Sequence, residues 1–373
     1  MPAKGDGITK RKDGRYMGRC VVHTPDGPKR KTVYGAKYRD VEKKLNELRS
    51  NADHGIVYED ENLTVGTYLR RWLADSVKDT VRQRTYEGYE HVAERHIIPT
   101  LGRLKLKNLT PVHVRGLYRE RLDIGLSPRT VQYTHTTLNK ALKQAVADGL
   151  IPRNAAASVK APRPRPTEIR PLDRKQVRAL LESASDHRLE ALYVVAVTAG
   201  LREGELLALR WEDIDLETTT PKLHVRRTLS EARSGRIFEA PKSGKGRQIR
   251  LTRKAAEALK GHRIRQNEER LAAGARWQDH GLVFPSSVGT PMGARNLQRH
   301  YKSLLRRAGL PLSFRFQDLR HTCATLLLRQ GVHVKYVQEL LGHADIALTL
   351  NVYSHVLPDM GHAAADAMDA AIG

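Results

Sequence analysis

Apolar and polar positions alternate along the chain with two different periods, and the change of period divides it into three stretches. In the first, Gly14-Arg15-Tyr16-Met17-Gly18-Arg19-Cys20-Val21-Val22 reads as a strand and Lys29-Arg30-Lys31-Thr32-Val33-Tyr34 as its partner. Thr24-Pro25-Asp26-Gly27 lies between them and carries turn residues, so the two predict a hairpin. From Lys37 onward Val41, Leu45 and Leu48 recur at helical spacing. The expectation is a small sheet backed by one helix. Asn51 to Glu61 is polar and acidic and reads as a linker.

From Leu63 to about Ala161 the period is helical. Val65, Leu69, Trp72 and Leu73 form one apolar stripe. Val112, Leu117 and Leu122 form a second, opened by Thr110-Pro111, an N-cap with proline at the first helical position. Leu138, Leu142, Val146 and Leu150 form a third, closed by Gly149 and Pro152. Ala161-Pro162-Arg163-Pro164-Arg165-Pro166 is a stiff, extended connector and the clearest boundary in the chain. Beyond it come helices, a strand-rich stretch from Lys222 to Thr252, and helices again. The expected fold is multidomain and mainly α with small β-sheets, divided at 1–55, 62–160 and 167–373. A length of 373 residues suits two or three domains.

Composition narrows the function. Hydrophobic residues make up 40% of the chain, which excludes wholesale disorder, and aromatics only 5%, so the cores must rest on Leu, Val and Ala. Lys and Arg number 65 against 41 Asp and Glu, a formal net charge of +24. A charge that large attracts a polyanion, and nucleic acid is the first candidate, ahead of an anionic membrane or a merely solvated surface. No apolar run approaches the roughly 20 residues that span a bilayer. Met1 to Lys12 offers no apolar signal-peptide segment, so the expected setting is the cytoplasm. Cys20 and Cys323 are far apart in sequence, and no Cys/His cluster has zinc-ligand spacing. His343 and His355 therefore read as phosphate or packing groups. In the first stretch Lys10, Arg11, Arg15, Arg19, Lys29, Arg30 and Lys31 place charge along the strands, as a DNA groove would require. The competing reading there is a solvated hairpin.

Four groups in the third stretch carry chemistry. The first is Thr198-Ala199-Gly200-Leu201-Arg202-Glu203-Gly204-Glu205-Leu206, in which Arg202 and Glu205 lie three apart and should share a helix face, with Gly200 at a close-packed helix start. The second, Ala240-Pro241-Lys242-Ser243-Gly244-Lys245-Gly246-Arg247-Gln248-Ile249-Arg250-Leu251, reads as a hairpin with a Gly-rich tip. The third is Gln317-Asp318-Leu319-Arg320-His321-Thr322-Cys323-Ala324-Thr325, where Gln317 and Arg320 should share a face while Leu319, Leu326 and Leu327 are buried. The fourth is Leu340-Leu341-Gly342-His343-Ala344-Asp345, followed by Asn351-Val352-Tyr353-Ser354-His355-Val356. The first two have bland readings, a surface ion pair and a solvated lysine hairpin, and any one of the four alone could be chance.

In this order the four groups resemble the tyrosine recombinase, or phage integrase, family. Its Gly-Leu-Arg-x-Gly-Glu pattern is matched at Gly200 to Glu205, and its Pro-Lys-Thr/Ser element at Pro241 to Ser243. Its His-Asp-Leu-Arg-His-Thr-x-Ala-Thr helix is matched at all but the first position by Gln317 to Thr325. Its Leu-Gly-His is matched at Leu341 to His343, with Tyr353 ten residues after that histidine. The resemblance is strongest over Arg170 to Val356. The helical stretch is similar to the family's core-binding, SAM-like domain and the N-terminal hairpin and helix to its arm-binding domain.

The resemblance implies a site-specific recombinase that cuts and rejoins DNA at attachment sites through a 3′-phosphotyrosyl intermediate, inserting and excising phage or mobile-element DNA. Attack on a phosphodiester builds charge on its non-bridging oxygens, and two guanidiniums can hold them with permanently charged hydrogen bonds, the role implied for Arg202 and Arg320. His343 would donate another, Tyr353 would be the nucleophile, Lys242 the general acid and Glu205 the group that orients Arg202. No metal or nucleotide cofactor is implied. The implied partners are double-stranded DNA at core and arm sites and three further copies in a tetramer on DNA at the nucleoid, with an excisionase and a DNA-bending host factor beside them. The departure is Gln317, where the family has histidine: its amide can donate a hydrogen bond but cannot carry charge. His321 reads as structural. The tail, Met360 to Ile372, reads as a small apolar helix that docks on its own chain or on a neighbour. Two other readings stand beside the integrase: a transposon recombinase or resolvase acting on simple sites, which the Lys-rich first stretch disfavours, and a DNA-binding regulator without catalysis, for which Gln317 is the hint.

Overall fold

In the computed structural model, which describes residues 7–24, 27–53, 62–164, 170–242, 244, 246–353 and 368–372, the period-two stretch at the N-terminus is an antiparallel sheet. Its strands are β1 (Ile8–Lys10), β2 (Tyr16–Thr24) and β3 (Gly27–Gly35), in the order β1-β2-β3. The short β1 escaped the sequence pattern because three residues carry no readable alternation. Helix α1 (Tyr38–Asp53) lies on one face of this sheet, burying Val41 and Leu45. It comes so close that a Cβ on Gly18 would stand 2.2 Å from Leu45 Cδ1. Register assigns the other face: Met17 pairs with Tyr34, Arg19 with Thr32 and Val21 with Arg30. Val21 and Tyr34 are 53% and 47% exposed there.

The helical stretch follows as α2 (Val65–Trp72), α3 (Gln83–Val92), α4 (Ile98–Leu101), α5 (Pro111–Asp123) and α6 (Pro128–Ala147). Thr64 and Ser127 cap α2 and α6 by accepting from the backbone N–H of Thr67 and Thr130. One core gathers Val65, Leu69, Trp72, Leu117, Leu138 and Leu142. Two expected members are absent from it. Val112 is 64% exposed and Val146 is also exposed; Val114 and Ala145 take the inward positions. Helical spacing of three or four residues fits either choice, and the partner helices decide. Most of the expected linker, 54–61, lies outside the described residues, as do Arg165 and Pro166 of the connector.

The chain divides into two units, Met1–Pro166 and Thr167–Gly373. The second begins with α7 (Arg174–Ser183), α8 (Glu190–Ala199) and α9 (Glu203–Leu207). Then come β4 (Ile214–Asp215), β5 (Lys222–Val225), β6 (Thr228–Ala232), β7 (Gly235–Glu239) and β8 (Arg247–Arg250). It ends with α10 (Arg253–Ala273), α11 (Ala294–Arg307), α12 (Asp318–Arg329), α13 (Val334–Leu341) and α14 (Ile346–Tyr353). Helix α8 is buried on nearly every side, as its run of Ala, Leu, Tyr and Val demands. Around it pack Leu206, Leu223, Ile249, Leu259, Tyr301 and Leu319.

The expected hairpin at Ala240 to Leu251 does not form. β7 pairs with β6, whereas β8 pairs with β5 in the sheet β4-β5-β8, so the loop after β7 passes between two sheets. In α12 Leu319 and Leu328 are buried, while Leu326 and Leu327 are only half-buried. Residues 354–367, including His355 and most of the expected C-terminal helix, lie outside the described residues; 368–372 are helical. No helix among the described residues is long and apolar enough to cross a membrane.

Candidate active site

The site is built where α8 ends. Gly200 closes that helix at φ +60°, the left-handed cap that glycine adopts without strain. A Cβ there would stand 2.8 Å from Leu341 Cδ2 and 3.3 Å from Cys323 Sγ, so the position needs glycine for space as well as for its backbone. Two residues on, Arg202 is the N-cap of α9, not a residue within it. Glu205, at the third helical position, reaches back and accepts from Arg202 N (3.0 Å) and from Arg202 Nη1 (2.8 Å). The expected shared helix face is thus a cap, whose carboxylate fixes both the backbone and the guanidinium of one arginine. Gly204 permits this because β6 lies against it: a Cβ would be 2.6 Å from Leu229 O.

The same carboxylate holds a second arginine that sequence reasoning missed. Arg247, on β8, donates from Nη2 to Glu205 Oε2 (2.7 Å) and from Nη1 to Oε1 (3.2 Å). Its Nε donates to Leu340 O (2.8 Å). Arg320, in the first turn of α12 and 3% exposed, donates to Gly200 O (2.7 Å) and Leu341 O (2.6 Å). Arg202 Nη2 reaches Gly342 O at 3.4 Å. Three consecutive carbonyls at the end of α13 are therefore received by three guanidiniums from three different elements. Such carbonyls have no partner within their helix and carry its negative end, so cations suit them.

Gly342, at φ +64°, then turns the chain. His343 N donates to Gln338 O (3.1 Å) and Gln338 Nε2 to His343 O (2.8 Å), which pins the corner. The imidazole Nδ1 lies 2.8 Å from Thr349 Oγ1. Burial, and then the positive charge of Arg320 and Arg202, push the His343 pKa down to about 4, so the ring is neutral at pH 7. Burial pushes Glu205 up, but the hydrogen bonds and charge of Arg247 and Arg202 outweigh it and hold the carboxyl at about 2.

Of the residues singled out in the sequence, Arg202, Glu205, Arg320 and His343 converge on this corner. Gln317 is half-buried in the turn before α12, where its carbonyl accepts from Arg320 N (3.2 Å); it leads into the helix and does not lie on its face. Burial lowers the pKa of its neighbour His321. Lys242 is exposed on the turn between β7 and β8. Tyr353 is the last residue of α14, which packs against α13, and its side chain lies outside the described residues. Arg247 left one local signal: alternation along β8 puts it on the inward face with buried Ile249. Chemically, the corner is a set of fixed, permanently charged donors with a neutral imidazole beside them. Such a set suits an oxyanion.

A model of the phage integrase family matches residues 170–360, and one of the phage integrase N-terminal SAM-like domain matches residues 64–122. A tyrosine recombinase XerC-like protein of Caldanaerobacter subterraneus is 32% identical over 349 residues, 88% of each chain. Among solved structures, the Tn1549 transposon integrase in complex with a circular intermediate DNA superposes with a TM-score of 0.69 at 21% identity, over 82% of this chain and 99% of that one. A lambda integrase dimer bound to a core site superposes with a TM-score of 0.58 at 20% identity, over 95% of each chain.

Proposed function

The chain belongs to the phage integrase family and is a site-specific DNA recombinase of the tyrosine class, and from that premise we propose the part each residue plays. Arg202 and Arg320 hold the non-bridging oxygens of the scissile phosphate, and His343 donates a third hydrogen bond as a neutral imidazole. The phenol oxygen of Tyr353 attacks phosphorus and gives up its proton to solvent. A phosphotyrosyl bond forms at the 3′ side and the bond to the 5′-oxygen breaks; Lys242 gives that oxygen its proton. The reverse attack by a 5′-hydroxyl releases Tyr353 and seals the strand, so bond energy is kept throughout. Glu205 orients Arg202. Gln317 supplies a neutral hydrogen bond where the family has histidine.

The observation that carries this reading is the convergence of Arg202, Arg320 and His343 on the end of α13. Removing a preorganised donor of this kind costs about 2.7–4 kcal/mol of transition-state stabilisation. We assign residues 1–55 to arm-type sites, 62–160 to the core site and 167–373 to catalysis. The working assembly is a tetramer on DNA in the cytoplasm, at the nucleoid, with an excisionase and a DNA-bending host factor as accessory partners. The Tn1549 and lambda enzymes, each solved with DNA, support DNA as the ligand.

The test is covalent capture. Incubated with a nicked duplex carrying its core site, the protein should give an adduct that survives a denaturing gel, and Tyr353→Phe should bind the same duplex without one. An adduct from the Phe variant would remove Tyr353 from its role. Binding without an adduct from the wild type would favour a regulator that has lost catalysis.

A further inference from the structure

We infer that Arg247 is a positioning residue of the recombination site, a brace that sets Arg202 and His343 without itself touching the phosphate. This rests on the reading of the site as a phosphoryl-transfer centre. Arg247 is nine-tenths buried in its side chain and divides its donors between two targets of different kind. Two of its nitrogens grip Glu205, the carboxylate that fixes both the backbone and the guanidinium of Arg202. The third holds Leu340 O, three residues before His343. A Cβ on Gly342 would stand 3.0–3.2 Å from its guanidinium atoms, so the side chain also packs on the glycine that turns the chain into His343. Arg247 is thus the side chain through which β8, α9 and the end of α13 meet. It sits five residues after Lys242, so the same strand that anchors it also carries the exposed turn of the general acid.

The geometry needs arginine in particular. A fork of parallel donors can span both carboxylate oxygens and still present Nε to a carbonyl; an ammonium is one point charge and must choose. Without Arg247, Glu205 keeps its bonds to Arg202 but loses its other cation, and Leu340 O loses its charged donor. The Arg202 and His343 corners then keep the long 3.4 Å bond of Arg202 to Gly342 O and the bridge of Arg320, but without their brace they can shift against each other. Displacement of a catalytic group by about 1 Å costs on the order of 100-fold in rate.

The test uses the full chain and a nicked core-site duplex, measuring the single-turnover rate of adduct formation at saturating DNA, and DNA affinity separately. Arg247→Ala should lower the rate about 100-fold with affinity within about threefold of wild type. Arg247→Lys, which keeps charge and bulk if the alanine variant fails to fold, should cleave about tenfold slower than wild type at unchanged affinity. In Glu205→Gln the further loss on adding Arg247→Lys should be much smaller than in the wild type, because the two act through one contact. Wild-type rates for Arg247→Lys, losses confined to affinity, or full additivity with Glu205→Gln would each overturn the inference. If the wild type itself gives no adduct, the reading of the site fails, not the brace.

Discussion

Three guanidiniums gather at the end of α13 with a single carboxylate, Glu205, that pairs with two of them, and the surplus of positive charge left there acts on the histidine beside them. Burial and that surplus hold the His343 pKa at about 4, below the ordinary 6.5. A histidine depressed on folding binds fewer protons in the native state than in the unfolded chain between those values, so stability rises with pH across that window. Its contribution is complete above about pH 6.5 and is lost as pH falls toward 4. Glu205 acts in the same sense lower down: its stabilisation is present above about pH 4.5 and lost as pH falls through 2. The thermal midpoint of the wild type should therefore fall between pH 6.5 and 4, and fall less in His343→Gln; identical slopes would mean that another group titrates. Gln317 gives a second expectation. If its amide meets the phosphate, Gln317→His should raise the single-turnover rate several-fold, since a charge-assisted bond is worth about 1 kcal/mol more than a neutral one, and Gln317→Ala should lower it further than that. Equal rates for all three proteins would remove residue 317 from the site. Arg202, Glu205, Arg320 and His343 were legible in the sequence because each lies in a short pattern with a fixed spacing. Arg247 was not, because its partners stand 42 and 93 residues away and no local pattern marks either pairing.

Elements show the same division between local and distant causes. The start of α5 at Thr110-Pro111 follows from a cap made by immediate neighbours, so that helix end was readable, whereas Gly200, read as the start of a helix, closes α8 instead. The loop from Pro241 to Gly246 has the turn chemistry of a hairpin tip, yet its flanking strands choose other partners, β6 and β5. Turn residues are local; strand pairing is not. The misassigned Val112 and Val146 have a similar origin, since each shares a helix with a residue that meets the core at equally good spacing. Gly200 shows how much one element boundary carries. It ends α8, gives its carbonyl to Arg320 and leaves room for Leu341. Gly200→Ala should cost about 1 kcal/mol for the left-handed backbone and about 1–3 kcal/mol for overpacking, roughly 2–4 in all, read as a lower midpoint in urea unfolding. A loss well under 1 kcal/mol would mean that Leu341 and Cys323 move aside freely, and that the corner is softer than its contacts imply.

For the molecule as a whole, the charge of +24 sets the terms on which it meets DNA. Neutralising phosphates releases counterions, so affinity should fall steeply with salt, with a slope of about 0.9 per phosphate contact. The N-terminal sheet refines which charges count. Composition treated Lys10, Arg11, Arg15, Arg19, Lys29, Arg30 and Lys31 as one basic set, but register divides the strand residues between two faces. Arg19 and Arg30 share the face away from α1 with Thr32 and with exposed Val21 and Tyr34, and Arg11 lies over the Tyr34 ring. Lys31 and Lys29 pair opposite Cys20 and Val22, on the side where α1 packs. A sheet entering a groove can present only one face, and the helix-free one carries arginine, threonine and apolar groups suited to base edges as well as to phosphate. Arg19→Ala with Arg30→Ala should therefore weaken binding to arm-site duplex and reduce the salt slope by about two contacts' worth, roughly 1.8, while cleavage of a core site stays unchanged. Lys29→Ala with Lys31→Ala removes the same charge from the other face, so it controls for electrostatics at a distance and should leave the slope nearly intact. Binding isotherms at several salt concentrations for both double variants decide the matter. Equal losses from the two pairs would mean that the segment attracts DNA only through its net charge; a larger loss from the lysine pair would turn the sheet around.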